Sequence, residues 1–269
     1  MTRSHPCPGP RQIIPPQGRT PFVVDYDPTP PLPSEYREGN ARAVRPRDAA
    51  TLVIVRNDTS PKILLGKRAA SHRFMPNKFV FPGGKLDRAD QRIKVEESLH
   101  PAVLDRLRKN VAKRVTENTL RGLALAAIRE TFEETGLVVG RATQQPYSSR
   151  DPVWQQYFNN GVTPPLGDLD FIARAITPTY RTRRFDTRFF MVEENCLYND
   201  PEALQDASGE LLELCWVTPE EARHLDLPGV TRWVIDRVEE RLATQQHVRQ
   251  RQSAPFIRFI NGDTRVIAL

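Results

Sequence analysis

The stretch LALAAIRETFEET, residues 123–135, constrains this chain more than any other. Wound as a helix at about 100° per residue, it gathers Glu130, Glu133 and Glu134 in one arc, because i, i+3 and i+4 are neighbours. Leu125, Ile128 and Phe132 fall on the opposite side. Gly136 follows at once, the residue on which helices commonly end in a left-handed conformation. Each like-charge pair at these spacings costs about 0.2–0.5 kcal/mol on an isolated helix, and more in a cleft of lower dielectric. Two readings stand side by side: a solvated acidic face, or a set of oxygen ligands for a hard cation such as Mg²⁺ or Mn²⁺.

Upstream, FPGGKLDRAD at 81–90 reads as a strand stopped by Pro82 and followed by two glycines. Gly83 and Gly84 leave a backbone with no side chains to block close approach. A carbonyl there has access to the same ion, and the N–H groups have access to phosphate oxygens. Arg129 either pins this loop beneath the site or makes an ordinary surface ion pair. The two stretches are separated by the 38 residues 91–128.

The rest of the chain limits the function classes. At 269 residues and 39% hydrophobic it has material for a sizeable core. It has no apolar run of membrane-spanning length, and the arginines near its start sit among prolines that break a transit helix. The expected location is cytoplasmic. Three cysteines without CxxC spacing and five histidines without a His-x-x-x-His pair disfavour zinc. A net charge of +6 admits nucleic acid, a membrane surface or a small anionic substrate. No aromatic runs interleave with basic residues, which argues against a dedicated nucleic-acid groove. The basic clusters at 91–121 and 172–188 read either as solvated surface or as phosphate contacts.

Residues 1–46 form a Pro-rich extension and 47–269 the folded domain. AATLVIVRN, KILLGKR, KFVFPGG, DFIARAIT, RFDTRFFMVEE and LLELCWV read as strands. HPAVLDRLRKNVAKRV repeats Val103, Leu107, Val111 and Val115 every fourth residue, which predicts a basic amphipathic helix through residue 115. A second helix is expected over Thr119–Thr135, a short one opens at Thr218, and VTRWVIDRVEERLATQQ forms another. Asn261-Gly262 between alternating runs signals a C-terminal hairpin.

Gly-Gly followed by Arg-Glu-x-x-Glu-Glu-x-Gly-aliphatic resembles the Nudix hydrolases. In their box a glycine precedes an acid by five residues, and seven more lead to Arg-Glu-aliphatic-x-Glu-Glu-x-Gly-aliphatic. Here Gly84 is followed by Asp90, one methylene shorter than the usual Glu, and Thr131 replaces the aliphatic. The spacing departs furthest, and residues 91–119 are expected to be an insertion carrying its own helix. Long loops cost little, about 0.6 kcal/mol per doubling of length. The resemblance implies an α/β fold, an α/β/α sandwich with a mixed β-sheet, to which the residues add a helical insertion and a C-terminal helix plus hairpin. It implies metal-dependent hydrolysis of a diphosphate in a nucleoside diphosphate derivative. Carried over by position, Glu133 and Glu134 are the principal ligands of Mg²⁺ or Mn²⁺, Glu130 binds a further ion or orients water, and the Gly84 carbonyl is a ligand. Gly83, Arg129 and Gly136 are structural. A general base is expected outside the box, at Glu213 or its neighbour Glu210; the alternative for both is exposed strand polarity.

LLGKRAASHRFMPNKFVFPGG resembles the motif of the coenzyme A-cleaving members. Leu64, Leu65, Arg68, Ala69, Arg73 and Phe81 through Gly84 match; Gly66 replaces a threonine and Asn77 a glycine. Asn tolerates a left-handed backbone. Arg68 and Arg73 suit bidentate phosphate binding, and Arg184 with Arg183 and Arg188 adds contacts, unless Asp186 pairs with one of them. The implied partner is a small-molecule nucleoside diphosphate, most of all coenzyme A or acyl-coenzyme A. The alternatives are another nucleotide, or a non-catalytic nucleotide-binding module. A homo-oligomer is left open. The basic helix is either a lid over the site or solvated surface.

Overall fold

Arg47–Arg56 forms strand β1, whose run of apolar residues is buried on both faces. Ala50, Leu52 and Ile54 enter one core, while Val53 and Val55 enter another. A strand buried on both sides belongs inside a layered α/β fold. The computed structural model describes residues 43–57, 59–71, 75–202, 209–244, 246–260 and 263–269. The Pro-rich extension as far as residue 42, Arg73 and Asn261-Gly262 lie outside the described residues.

β1 pairs in parallel with β8 (Phe185–Glu193), and antiparallel with β2 (Lys62–Arg68) and β4 (Gly83–Lys85). β3 (Phe79–Val80) and β9 (Leu211–Val217) join β2, and β7 (Asp170–Ile176) joins β8. β10 (Pro255–Ile260) runs parallel to β7 and forms the expected hairpin with β11 (Asp263–Ala268). The sheet is therefore mixed. On one face lie α1 (Pro101–Arg108), α2 (Glu117–Thr135) and α3 (Pro152–Phe158), contributing Val103, Leu123 and Trp154 to one core. On the other lie α4 (Pro219–Arg223) and α5 (Gly229–Leu242), contributing Ala222, Val234 and Val238. A short ribbon of β5 (Arg141–Ala142) and β6 (Val162–Thr163) and a turn of helix, α6 (Gln246–Arg249), complete the described strands and α-helices. Among the described residues no helix is long and apolar enough to cross a membrane.

The helix expected through residue 115 stops at Arg108. Lys109 is extended and Asn110 adopts a positive φ of 54°. The Asn110 carbonyl instead accepts from Arg174 Nη1 at 3.0 Å, a bond to the sheet that no local periodicity reports. Val111 and Val115 still pack against the core, so the four-residue recurrence marked burial and not helix. No residue of 91–119 lines the cleft described below. The basic clusters are not simply solvated either. Arg106, Arg174, Arg181 and Arg188 are all buried. Arg188 holds Asp48 at 2.6 Å, and Arg174 holds Asp186 at 2.7 and 2.8 Å.

α2 begins at Glu117, two residues before the expected start, because Thr116 caps it by accepting from the Thr119 amide at 3.3 Å. It ends as expected on Gly136, at φ 72°, whose N–H reaches the Phe132 carbonyl at 3.0 Å. The helix passes beside β4, bringing its glutamate face to the glycine strand.

Candidate active site

A cleft of about 480 Å³ lies between β4, the glutamate face of α2 and the start of α5. Gly83 and Gly84 form one wall, for steric reasons specific to each. Gly83 has φ +156°, and a Cβ there would lie 2.6 Å from the Ala50 carbonyl oxygen. A Cβ on Gly84 would stand 2.4 Å from the Glu130 carboxylate. A side chain at Gly83 would collide with the β1 backbone, and one at Gly84 would push the Glu130 carboxylate from its place against the strand.

Glu134 is 3% exposed, and its Oε2 accepts the Gly83 N–H at 2.9 Å. Burial raises its carboxyl to about 8, reinforced by Glu130 and Glu210 and opposed by the Gly83 bond and Arg68. Burial also raises Glu130, against the pull of Arg129. Arg68 lines the same cleft; burial lowers its pKa, while Glu134, Glu210 and Glu130 hold it up. Glu133 is the most solvent-reached of the three helix glutamates, its side chain 41% exposed. Lys85 and Arg183 add cationic groups to the lining, and Phe81, Phe189 and Val230 an apolar wall.

Arg129 organises the carboxylates. Its Nε and Nη2 donate to the two oxygens of Asp90 at 2.8 and 3.1 Å, and Asp90 is fully buried. Its remaining contacts go to Glu130 at 2.9 Å, Glu133 at 3.1 Å and the Lys85 carbonyl at 3.1 Å. Burial opposes the guanidinium charge, but Asp90 and Glu130 outweigh it and raise its pKa.

A crystal structure of a Nudix hydrolase from Alicyclobacillus acidocaldarius superposes on 75% of this chain and 97% of its own, with a TM-score of 0.54 and 25% identity. This is the Nudix fold. In sequence, the putative Nudix hydrolase 7 of Caenorhabditis elegans is 25% identical over 188 residues, 65% of this chain and 52% of that protein. The acyl-coenzyme A diphosphatase NUDT19 of Homo sapiens is 28% identical over 207 residues, 60% of this chain and 54% of that protein. The chain thus spans about half the length of the curated relatives it matches. No protein-family model matches it.

The two halves of the motif meet in space. Asp90 and Arg129 meet directly although 39 positions apart, so the detour of 91–128 leaves and returns at a fixed point. Glu130, Glu133, Glu134, Gly83, Gly84, Arg129 and Arg68 come together at the cleft. Gly136 stays at the helix end.

The structure does not bring Glu213 or Arg184 there. Glu213 is exposed, with its carboxylate on Lys67 at 2.8 Å. It is Glu210 that lines the cleft. Arg184 donates to the Thr177 and Val44 carbonyls at 2.9 and 2.7 Å. The two departures in the upstream motif have local reasons. Asn77 takes φ 61°, the left-handed conformation a glycine would supply. Gly66 is held to hydrogen because a Cβ there would lie 2.8 Å from Leu214 Cδ2. Sequence reasoning missed Lys85, whose only signal is its place directly after the glycines.

The donor set is all oxygen, and two of its carboxylates are buried and raised by desolvation, which suits a hard divalent cation. Among the described residues no group of acidic, His or Cys side chains converges to hold an ion as arranged. Glu134 faces the Gly83 N–H, and Glu130 and Glu133 face Arg129. An ion would compete with those internal partners for the same oxygens.

Proposed function

We propose that residues 47–269 form a metal-dependent hydrolase of a diphosphate linkage, acting on coenzyme A or acyl-coenzyme A. The observation that carries this is the shared cleft: three helix glutamates, the glycine strand and Arg68 line one space. Support for the substrate comes from the upstream motif, and from the relative named as an acyl-coenzyme A diphosphatase.

Glu130, Glu133, Glu134 and the Gly84 carbonyl would hold Mg²⁺ or Mn²⁺. Such an ion supplies charge neutralisation to the diphosphate oxygens and acidity to the attacking water. Arg68, Lys85 and Arg183 bind the phosphates, Arg68 and Arg183 through the fork geometry of guanidinium. Of the two glutamates expected as general base, we assign the role to Glu210, the one at the cleft. It takes the proton from the attacking water as the new phosphorus–oxygen bond forms and the bond from that phosphorus to the bridging oxygen breaks, the other phosphate leaving with that oxygen. Arg129, held by Asp90, positions Glu130 and Glu133. We place the protein in the cytoplasm, which suits the free thiols of Cys196 and Cys215.

Mass spectrometry after incubation with a substrate panel and Mg²⁺ or Mn²⁺ tests the proposal. A 3′,5′-ADP product supports coenzyme A cleavage. Cleavage of nucleotide sugars, dinucleotides or oxidised nucleotides alone moves the substrate class. Binding without turnover throughout overturns the enzyme reading.

A further inference from the structure

Trp154 belongs to α3, remote in sequence from both halves of the box, and its side chain is fully buried. Its indole Nε1–H donates to Asp90 Oδ1 at 2.8 Å. The same oxygen receives Arg129 Nε, and Asp90 Oδ2 receives Arg129 Nη2 and the Asp87 amide at 2.8 Å. Four donors therefore set the plane of one buried carboxylate. That carboxylate sets the guanidinium, and the guanidinium reaches Glu130, Glu133 and the Lys85 carbonyl.

The indole is a stiff donor. Its ring packs edge-on to Tyr157 at 5.2 Å and stacks on Phe158 at 5.6 Å. Asp151 caps α3 by accepting from the Val153 and Trp154 amides, each at 3.1 Å. The Asp87 amide and the indole hold Asp90 from outside its pair with Arg129, and the indole joins that pair to the aromatic residues of α3.

We infer that Trp154 is a positioning residue, which orients the helix carboxylates through Asp90 and Arg129. This rests on the proposed metal-dependent reading of the cleft. Outer partners of metal ligands typically contribute 10–100-fold to metal affinity or activity.

Trp154→Phe keeps a ring in the cluster and removes the donor. The expected result is Mn²⁺ affinity weaker by about tenfold or more, read by electron paramagnetic resonance. In the metal-free protein, faster solvent exchange of the Arg129 Nε proton is expected by NMR. Tyr147→Leu serves as control: it loosens the same aromatic cluster at Phe158, which its ring meets at 5.5 Å, and leaves the indole's own ring contacts and its donor in place, so affinity and proton exchange stay near wild type. A folded Trp154→Phe with unchanged affinity and unchanged exchange overturns the inference, as does an equal loss in Tyr147→Leu.

Should Trp154→Phe not fold, the wild-type protein decides. Its Trp154 indole resonance is expected to shift during Mg²⁺ titration with the saturation seen by calorimetry, and an unmoved resonance while Mg²⁺ binds overturns the inference. If neither ion binds the wild-type protein, the proposed function falls, and the relay is judged on the Arg129 proton alone.

Discussion

The Glu134 carboxylate accepts the Gly83 amide N–H at 2.9 Å, across 51 positions of sequence. This bond joins the C-terminal turn of α2 to the glycine strand and fixes how the two halves of the site face each other. It also occupies an oxygen that the proposed metal would use.

Replacing Glu134 with Gln keeps the size and an acceptor oxygen for Gly83, but removes the charge. Turnover is expected to fall by about 10²-fold or more, with the fold retained by circular dichroism. Steady-state kinetics near wild type would remove Glu134 from the proposed role.

The same residue sets a pH dependence. Burial lifts the Glu134 carboxyl to about 8, above the ordinary value of about 4.3 for an unfolded glutamate. The native state therefore binds this proton more tightly than the unfolded chain. In metal-free protein its contribution is full below about pH 4.3 and is lost as pH rises through about 8. Melting temperatures in chelator across that interval should fall less steeply for Glu134→Gln than for wild type. Mg²⁺ affinity should rise over the same interval, since the ligand must ionise; a pH-independent affinity would contradict the assignment.

Gly84→Ala tests the close approach. The added Cβ would stand 2.4 Å from the Glu130 carboxylate, and that side chain must swing away from Arg129. Metal affinity and turnover are expected to drop together, at a modest cost in stability of about 1–3 kcal/mol for overpacking. Calorimetric titration with Mn²⁺ and a urea melt separate the two effects.

Asp170 offers a test away from the cleft. Its Oδ1 bonds Arg106 Nη2 at 2.8 Å, and its Oδ2 forms an ion pair with Arg241 Nε at 3.1 Å. Burial raises the Asp170 carboxyl against both arginines and lowers the pKa of each of them. Asp170→Asn leaves two buried guanidiniums without their counter-charge, for an expected loss on the order of 3–5 kcal/mol. Denaturant unfolding measures it. Residual folded protein should keep its Mn²⁺ affinity, because neither arginine lines the cleft.

Much of this molecule was legible from the chain. The glutamate arc, its apolar back, the Gly136 stop and the strand runs follow from contacts between residues close in sequence, where helical period, capping and alternation act. Failures came where distant residues competed. The helix predicted to residue 115 yielded to Arg174, which captures the Asn110 carbonyl. Glu213 turned away from the site at an irregularity in the β2–β9 register, where Leu65 opposes Cys215 but Lys67 opposes Leu212. Glu213 itself takes φ 50° there. One extra residue in a strand reverses which side chains face which side.

The amino-acid order by itself determined which residues form the acidic face, which glycines admit it, and that a long detour lies between them. Tertiary structure alone decided that the detour closes at Asp90 and Arg129, that Trp154 supports that pair, and that Glu210 rather than Glu213 reaches the cleft. Period and capping are set within a few residues of chain. Which buried donor meets which buried acceptor is set by how the layers pack, and that information is spread over the whole sequence.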